Sequence, residues 1–158
     1  MIKVISGGQT GVDRGALDAA IAVGIPHGGF KPGDGKAEDG AVPTKYDLSY
    51  HWQMGYTART TENVRSSDAT VILYRPGSPW GPGTKMTKSL CHWFKKPCVE
   101  VPLGYLTTEG SQELDAFLAA FDVINFAGSR ESKCPGIQEQ VRDYLIPYFK
   151  KVLNGGEE

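Results

Sequence analysis

The run Ser6-Gly7-Gly8-Gln9-Thr10-Gly11-Val12-Asp13-Arg14-Gly15 constrains this chain more than any other stretch. Ahead of it lies a short apolar segment, Met1 to Ile5, and beyond it Leu17, Ala20 and Ile21 recur at helical spacing. The order strand, glycine turn, helix predicts a βα unit. The first N–H groups of a helix have no partner within it and carry the positive end of the macrodipole, while glycines let a ligand approach the main chain. Gly7, Gly8, Gln9, Thr10 and Gly11 are therefore candidate contacts for an oxyanion, with Arg14 in the first turn as counter-charge. The run lacks the lysine of a P-loop and does not follow G-x-G-x-x-G, so neither motif's chemistry transfers to it. A tight turn that packs helix on strand is the alternative reading.

Asp13 is expected to cap the first helix, which ends near Val23 with Gly24 as left-handed terminator. A short second strand is expected within Ile25 to Phe30. From Phe30 to Tyr56 no period is sustained and Gly, Pro and Asp abound, yet Tyr46, Tyr50, Trp52 and Tyr56 supply apolar area. Loops this long inside a domain are functional or disordered, and the aromatics favour an ordered excursion over the site. Lys31, Lys36, Glu38 and Asp39 are its polar candidates.

A short helix over Arg59 to Ser66 precedes the clearest buried strand, Asp68 to Tyr74. Arg75 to Thr84 forms a second glycine loop entering a helix with Met86, Leu90, Trp93 and Phe94 as apolar stripe. Cys98 to Val101 reads as a strand, Ser111 to Phe121 as a helix capped by Ser111, and Val123 to Phe126 as a strand. A third Gly/Ser loop, Ala127 to Ser132, leads to a last helix with Pro135 at its first position and Pro147 inside it. Residues 154–158 are expected to fray, leaving one domain over 1–153.

This alternation predicts a single-domain, doubly wound α/β fold, with a mainly parallel sheet and helices on both faces. In such a sheet the strand-to-helix loops emerge at the C-terminal edge, where ligands bind. Three of them carry Gly with Ser, Thr or Arg: the first run, the loop ending in Gly83 and Thr84, and the loop holding Ser129 and Arg130. Their convergence predicts a pocket rich in backbone donors for a phosphate-bearing small molecule or another oxyanion. Seventeen basic against eighteen acidic side chains give a net charge of −1, too little field to recruit nucleic acid or a membrane surface. The anion site has to be local.

No apolar run approaches membrane-spanning length and no leader pattern opens the chain, so a cytoplasmic location is expected. Cys91, Cys98 and Cys134 lack C-x-x-C spacing and read as free thiols. His27, His51 and His92 lie apart and no hydrolase motif is present, so no catalytic residue and no metal ligand is assigned.

Ser6 to Asp18 resembles the signature of the molybdenum cofactor carrier proteins. Further segments agree: Lys31-Pro32 with Ala37-Glu38-Asp39-Gly40, Arg59-Thr60-x-x-Asn63-Val64 with Ser67-Asp68-Ala69-Thr70, Gly83-Thr84, and Ala127-Gly128-x-Arg130-Glu131-Ser132-Lys133 with Pro135-Gly136-Ile137. The resemblance spans nearly the whole chain. It implies a Rossmann-like domain related to lysine-decarboxylase-like and cytokinin-activating phosphoribohydrolase proteins, assembly into homo-oligomers, and the molybdenum cofactor as carried ligand. That cofactor is a flat pterin with a terminal phosphate and an oxo-metal head.

The hydrolase relatives use a P-G-G-x-G-T-x-x-E pattern whose glutamate assists glycosidic cleavage. Here Gly81-Pro82-Gly83-Thr84-Lys85-Met86-Thr87 puts Thr87 at that position. A threonine hydroxyl is no general acid or base near neutral pH. The expected function is therefore non-catalytic carriage. Gly7 to Gly11 and Arg14 would hold one oxyanionic end, Gly83, Thr84 and Thr87 the floor, Ser129 and Arg130 the far side, and Lys31, Glu38 and Asp39 would close over the ligand. The competing expectation is a nucleotide or nucleoside-phosphate hydrolase in which Glu38 or Asp39 replaces the missing glutamate.

Overall fold

The computed structural model describes residues 2–155. The chain opens with β1 (Lys3–Ile5), α1 (Val12–Val23) and β2 (His27–Gly28). Four two-residue strands follow: β3 (Phe30–Lys31), β4 (Lys36–Ala37), β5 (Gly40–Ala41) and β6 (Ser49–Tyr50). Alternation then resumes with α2 (Tyr56–Arg65), β7 (Ala69–Tyr74), α3 (Pro82–Trp93), β8 (Cys98–Pro102), α4 (Thr108–Ala120), β9 (Val123–Gly128) and α5 (Ile137–Leu153).

The main sheet has the order β2-β1-β9-β7-β8, and every pair in it is parallel. Residues 69–73 of β7 are all buried, as an apolar run needs to be when helices cover both faces of a central strand. Val71 sits in register between Phe126 and Val99. The crossover from β1 to β2 runs towards one edge and that from β7 to β8 towards the other, so right-handed connections put α1 and α3 on opposite faces. α1 and α4 both pack on α5, while α2 packs on α3. The fold is thus the expected Rossmann-like α/β domain.

The core lies between the sheet and α1 with α5, where Leu17, Phe126, Ile137, Leu145 and Phe149 are fully buried. Phe126 and Phe149 meet edge to face at 5.5 Å. Each such side chain contributes about 1.5–3 kcal/mol on burial.

Several elements depart from the sequence expectation. α1 begins at Val12 after Gly11, and Asp13 does not cap it; its carboxylate turns back to the N–H of Gln9. The helix does end at Gly24, in the left-handed region with φ 87°. α4 starts earlier than expected because Thr107, not Ser111, caps it by accepting the N–H of Gly110. α5 begins at Ile137 after Gly136, so Pro135 lies ahead of the helix and not at its first position. Trp93 does not belong to the buried stripe of α3: it is 79% exposed, and the buried face is Thr84, Thr87 and Cys91. Met1 and residues 156–158 lie outside the described residues, while Asn154 and Gly155 close α5 through hydrogen bonds to Lys150 and Val152 carbonyls.

The excursion between β2 and α2 is ordered by backbone ladders and by a few anchors. β3 pairs with β6 in parallel and β4 with β5 in a hairpin. Asn63 of α2 brackets Phe30, its Oδ1 accepting the Phe30 N–H at 2.8 Å and its Nδ2 donating to the Phe30 carbonyl at 2.9 Å. Val42, Tyr46 and Leu48 join the core, whereas Tyr50, Trp52 and Met54 face solvent.

Candidate functional site

β1, β9 and β7 are neighbours, so the three glycine loops leave the same edge of the sheet side by side. A cavity of about 390 Å³ opens there. Gln9 and Asp13 come to it from the first loop, Trp80 to Thr84 and Thr87 from the second, and Ala127 to Arg130 with Lys133 from the third. A further wall is α2, through Tyr56, Arg59 and Thr60.

Arg59 is the centre of that wall. It lies across the backbone of Gly7 so closely that a Cβ there would stand 1.9 Å from its Nη1, so glycine at position 7 is the berth of an arginine. Nη1 donates to Asp13 Oδ2 at 3.2 Å, and the same oxygen accepts the Gln9 N–H at 3.2 Å. Burial pushes the Asp13 carboxyl above its ordinary value, against the pull of Arg59 and backbone N–H groups. Burial likewise lowers the Arg59 guanidinium, against the pull of Asp13. The Nε of Arg59 is buried and has no hydrogen-bond partner.

Gln9 repeats the pattern. Its Oε1 accepts the N–H of Thr10 and that of Glu38, both at 3.0 Å, while its buried Nε2 has no partner. Two cations approach Tyr56, with the Arg59 and Arg130 guanidinium carbons each 5.6 Å from its ring centroid. The lining holds the cations Arg59, Arg130 and Lys133 against a single carboxylate, Asp13, which Arg59 already pairs.

The remaining candidates form a clasp. Arg14 donates through Nε to the Gly8 carbonyl at 2.9 Å and through both amino groups to Asp39 at 2.6 and 2.8 Å. The Thr10 hydroxyl donates to Glu38 and accepts the Glu131 N–H at 3.1 Å. Glu38 also accepts from the Ser132 N–H at 3.2 Å and from the Ser132 hydroxyl. Burial works to raise the Glu38 carboxyl, but the bonds from Ser132 and Thr10 outweigh it and hold it below the ordinary value. Arg14 does the same for Asp39. The β4–β5 hairpin is thereby fastened to the first and third loops.

Of the residues singled out in sequence, the cavity wall brings together Gln9, Gly83, Thr84, Thr87, Ser129 and Arg130. Thr87 donates its hydroxyl to the Gly83 carbonyl at 2.9 Å. Gly11, at φ 85°, lets the turn pass the third loop, where a Cβ would stand 2.2 Å from the Ser129 carbonyl oxygen. Gly7, Gly8, Thr10, Arg14, Glu38 and Asp39 meet protein groups, and Lys31 is buried with its Nζ 4.2 Å from the Tyr50 ring centroid. Sequence reasoning missed Arg59, Tyr56, Thr60, Trp80 and Lys133. The available signal was spacing: Arg59, Thr60, Asn63 and Val64 share one helix face, and that face is buried although mostly polar.

None of the curated proteins compared matches the chain. Among solved structures, a candidate molybdenum carrier protein, so named, from Syntrophus aciditrophicus SB is similar to it, at 36% identity over 94% of each chain with a TM-score of 0.85. A family model matches residues 4–149, and with it the chain belongs to the circularly permutated YpsA SLOG family.

Proposed function

We propose that the protein holds and carries a phosphate-bearing small molecule, with the molybdenum cofactor as cargo, in the cavity over β1, β9 and β7. The observation that carries this reading is the charge of the lining: three cations, and one carboxylate that Arg59 already neutralises. A phosphate monoester bears about −1.5 to −2 near neutral pH and matches that surplus. Trp80 from the second loop and Tyr56 from α2 add aromatic area to the lining, which suits a flat heterocycle. Molybdenum itself enters through the name of the Syntrophus aciditrophicus protein and the resemblance of the sequence motifs. In this reading the carrier is cytoplasmic and homo-oligomeric; no helix among the described residues is long and apolar enough to cross a membrane.

The disposition of the carboxylates favours carriage over glycosidic cleavage. Glu38 and Asp39 are held ionised in the clasp, acceptors of hydrogen bonds from Ser132, Thr10 and Arg14, and are not among the cavity-lining residues. The hydroxyl of Thr87, at the position of the hydrolase glutamate, is engaged by its own helix.

The test is anaerobic purification followed by mass spectrometry and elemental analysis of whatever the protein retains. The expected result is a phosphorylated pterin with molybdenum in the wild type and its loss from the Arg130→Ala, Lys133→Ala double variant. Incubation with nucleoside monophosphates is expected to release no free base; release abolished by Glu38→Gln would replace carriage with hydrolysis.

A further inference from the structure

We propose that Gln9 and Arg59 together form the seat for the phosphate group of a phosphomonoester, on the wall of the cavity where α2 meets the first glycine loop. The proposal rests on the reading of the cavity as an anion site and says which wall takes the phosphate.

Both residues are only 8% exposed, and each keeps one buried N–H group without a partner, Gln9 Nε2 and Arg59 Nε. A buried donor left unpaired loses its water bond and gains nothing for it, which is why native structures rarely keep one. Two on adjoining walls of one cavity have a common remedy. Because both are donors, the missing partner is an acceptor, and a phosphate oxygen among three cations is the acceptor that suits them.

The orientation of each donor is fixed by protein contacts. The carboxamide of Gln9 cannot exchange its oxygen and nitrogen, because Oε1 already accepts the N–H groups of Thr10 and Glu38. The guanidinium of Arg59 lies in the berth over Gly7 and gives Nη1 to Asp13, which leaves its Nε edge unengaged. That edge presents N–H groups in a planar fork matched to the oxygens of a phosphate. Asp13 is thus a positioning residue, and Arg130 and Lys133 add charge from the third loop.

The probes are phenyl phosphate and inorganic phosphate, titrated calorimetrically into the full chain. Gln9→Glu keeps the Oε1 acceptor and turns the unpartnered Nε2 donor into an oxygen. Arg59→Lys keeps the charge and removes the fork. Each variant is expected to weaken phenyl phosphate by at least about tenfold, the equivalent of one lost bond to a charged group. Phenyl phosphate is expected to bind more tightly than inorganic phosphate, because the same cavity offers its ring the aromatic area of Trp80 and Tyr56.

Should Arg59→Lys fail to fold, Gln9→Glu decides, its thermal midpoint checked against the wild type. Unchanged affinity in the folded variants overturns the seat, as does inorganic phosphate binding more tightly than the monoester. If the molybdenum cofactor is retained at wild-type level in both variants, the seat falls and the carrier reading stands. If phenyl phosphate binds through Gln9 and Arg59 but no pterin is retained, the carrier reading falls and the seat stands.

Discussion

Two polar clusters grow from the first glycine run, one beneath the β4–β5 hairpin and one on the cavity wall. In the clasp, Arg14 and Asp39 meet through both amino groups, and Glu38 collects donors from Thr10 and Ser132. On the wall, Asp13 and Arg59 are paired, but Arg59 Nε and Gln9 Nε2 are not. The residue that most resembled an anion binder in sequence, Arg14, completes its bonds within the protein, and α2, to which no site residue was assigned in sequence, supplies the cavity's buried arginine. A completed network holds a loop in place, whereas an incomplete one on a cavity wall leaves capacity for a ligand.

The contrast is broken most severely at Asp13. Asp13→Ala would leave the Arg59 guanidinium buried without its counter-ion, and loss of one member of such a pair costs about 3–5 kcal/mol. Urea denaturation measures this directly, and a loss below about 1 kcal/mol would mean that Arg59 finds water or another acceptor. Arg14→Ala should cost less, about 2 kcal/mol, because Asp39 is half exposed and rehydrates when its partner goes. The same variant should change phenyl phosphate affinity by less than the tenfold expected of Gln9→Glu, about twofold at most. Stability kept with binding lost would exchange the roles assigned to the two clusters.

Sequence and structure part company according to the range of the contacts involved. The end of α1 at Gly24, the buried run of β7 and the three loops on one edge follow from local pattern and from the handedness of crossovers, and all are legible. α3 was misread because its inner face lines a cavity, so that Thr84 and Thr87 are buried while Trp93 is exposed. The partners of the first loop lie far along the chain. Arg14 reaches Asp39, Asp13 reaches Arg59 and Thr10 receives Glu131, and no periodicity encodes those meetings. Arg59 was visible only as part of a motif and as a polar residue at buried-face spacing.

The smallest expected effect separates the clusters by pH. Glu38 and Asp39 titrate below their ordinary values of 4.5 and 3.8, so their contribution is present above those values and lost as pH falls through the lower folded values. Asp13 is raised above 3.8, so its ionisation works against folding as pH rises through its folded value, and acid favours the wall while it loosens the clasp. Glu38 is exposed, and solvent screening keeps the loss in Glu38→Gln to about 1 kcal/mol or less near neutral pH. Amide exchange at Ser132, whose N–H bonds Glu38, reads this opening locally. Exchange there should be faster in the variant at pH 6, once corrected for intrinsic rates, and should converge with the wild type in acid, once pH has fallen through the lowered folded value of Glu38. Persistence of the difference in acid would assign the fastening to the neutral acid rather than the carboxylate. Because the Glu38 N–H also holds Gln9 Oε1, a clasp opened by acid frees the amide that orients the phosphate seat, and the completed cluster thereby supports the incomplete one.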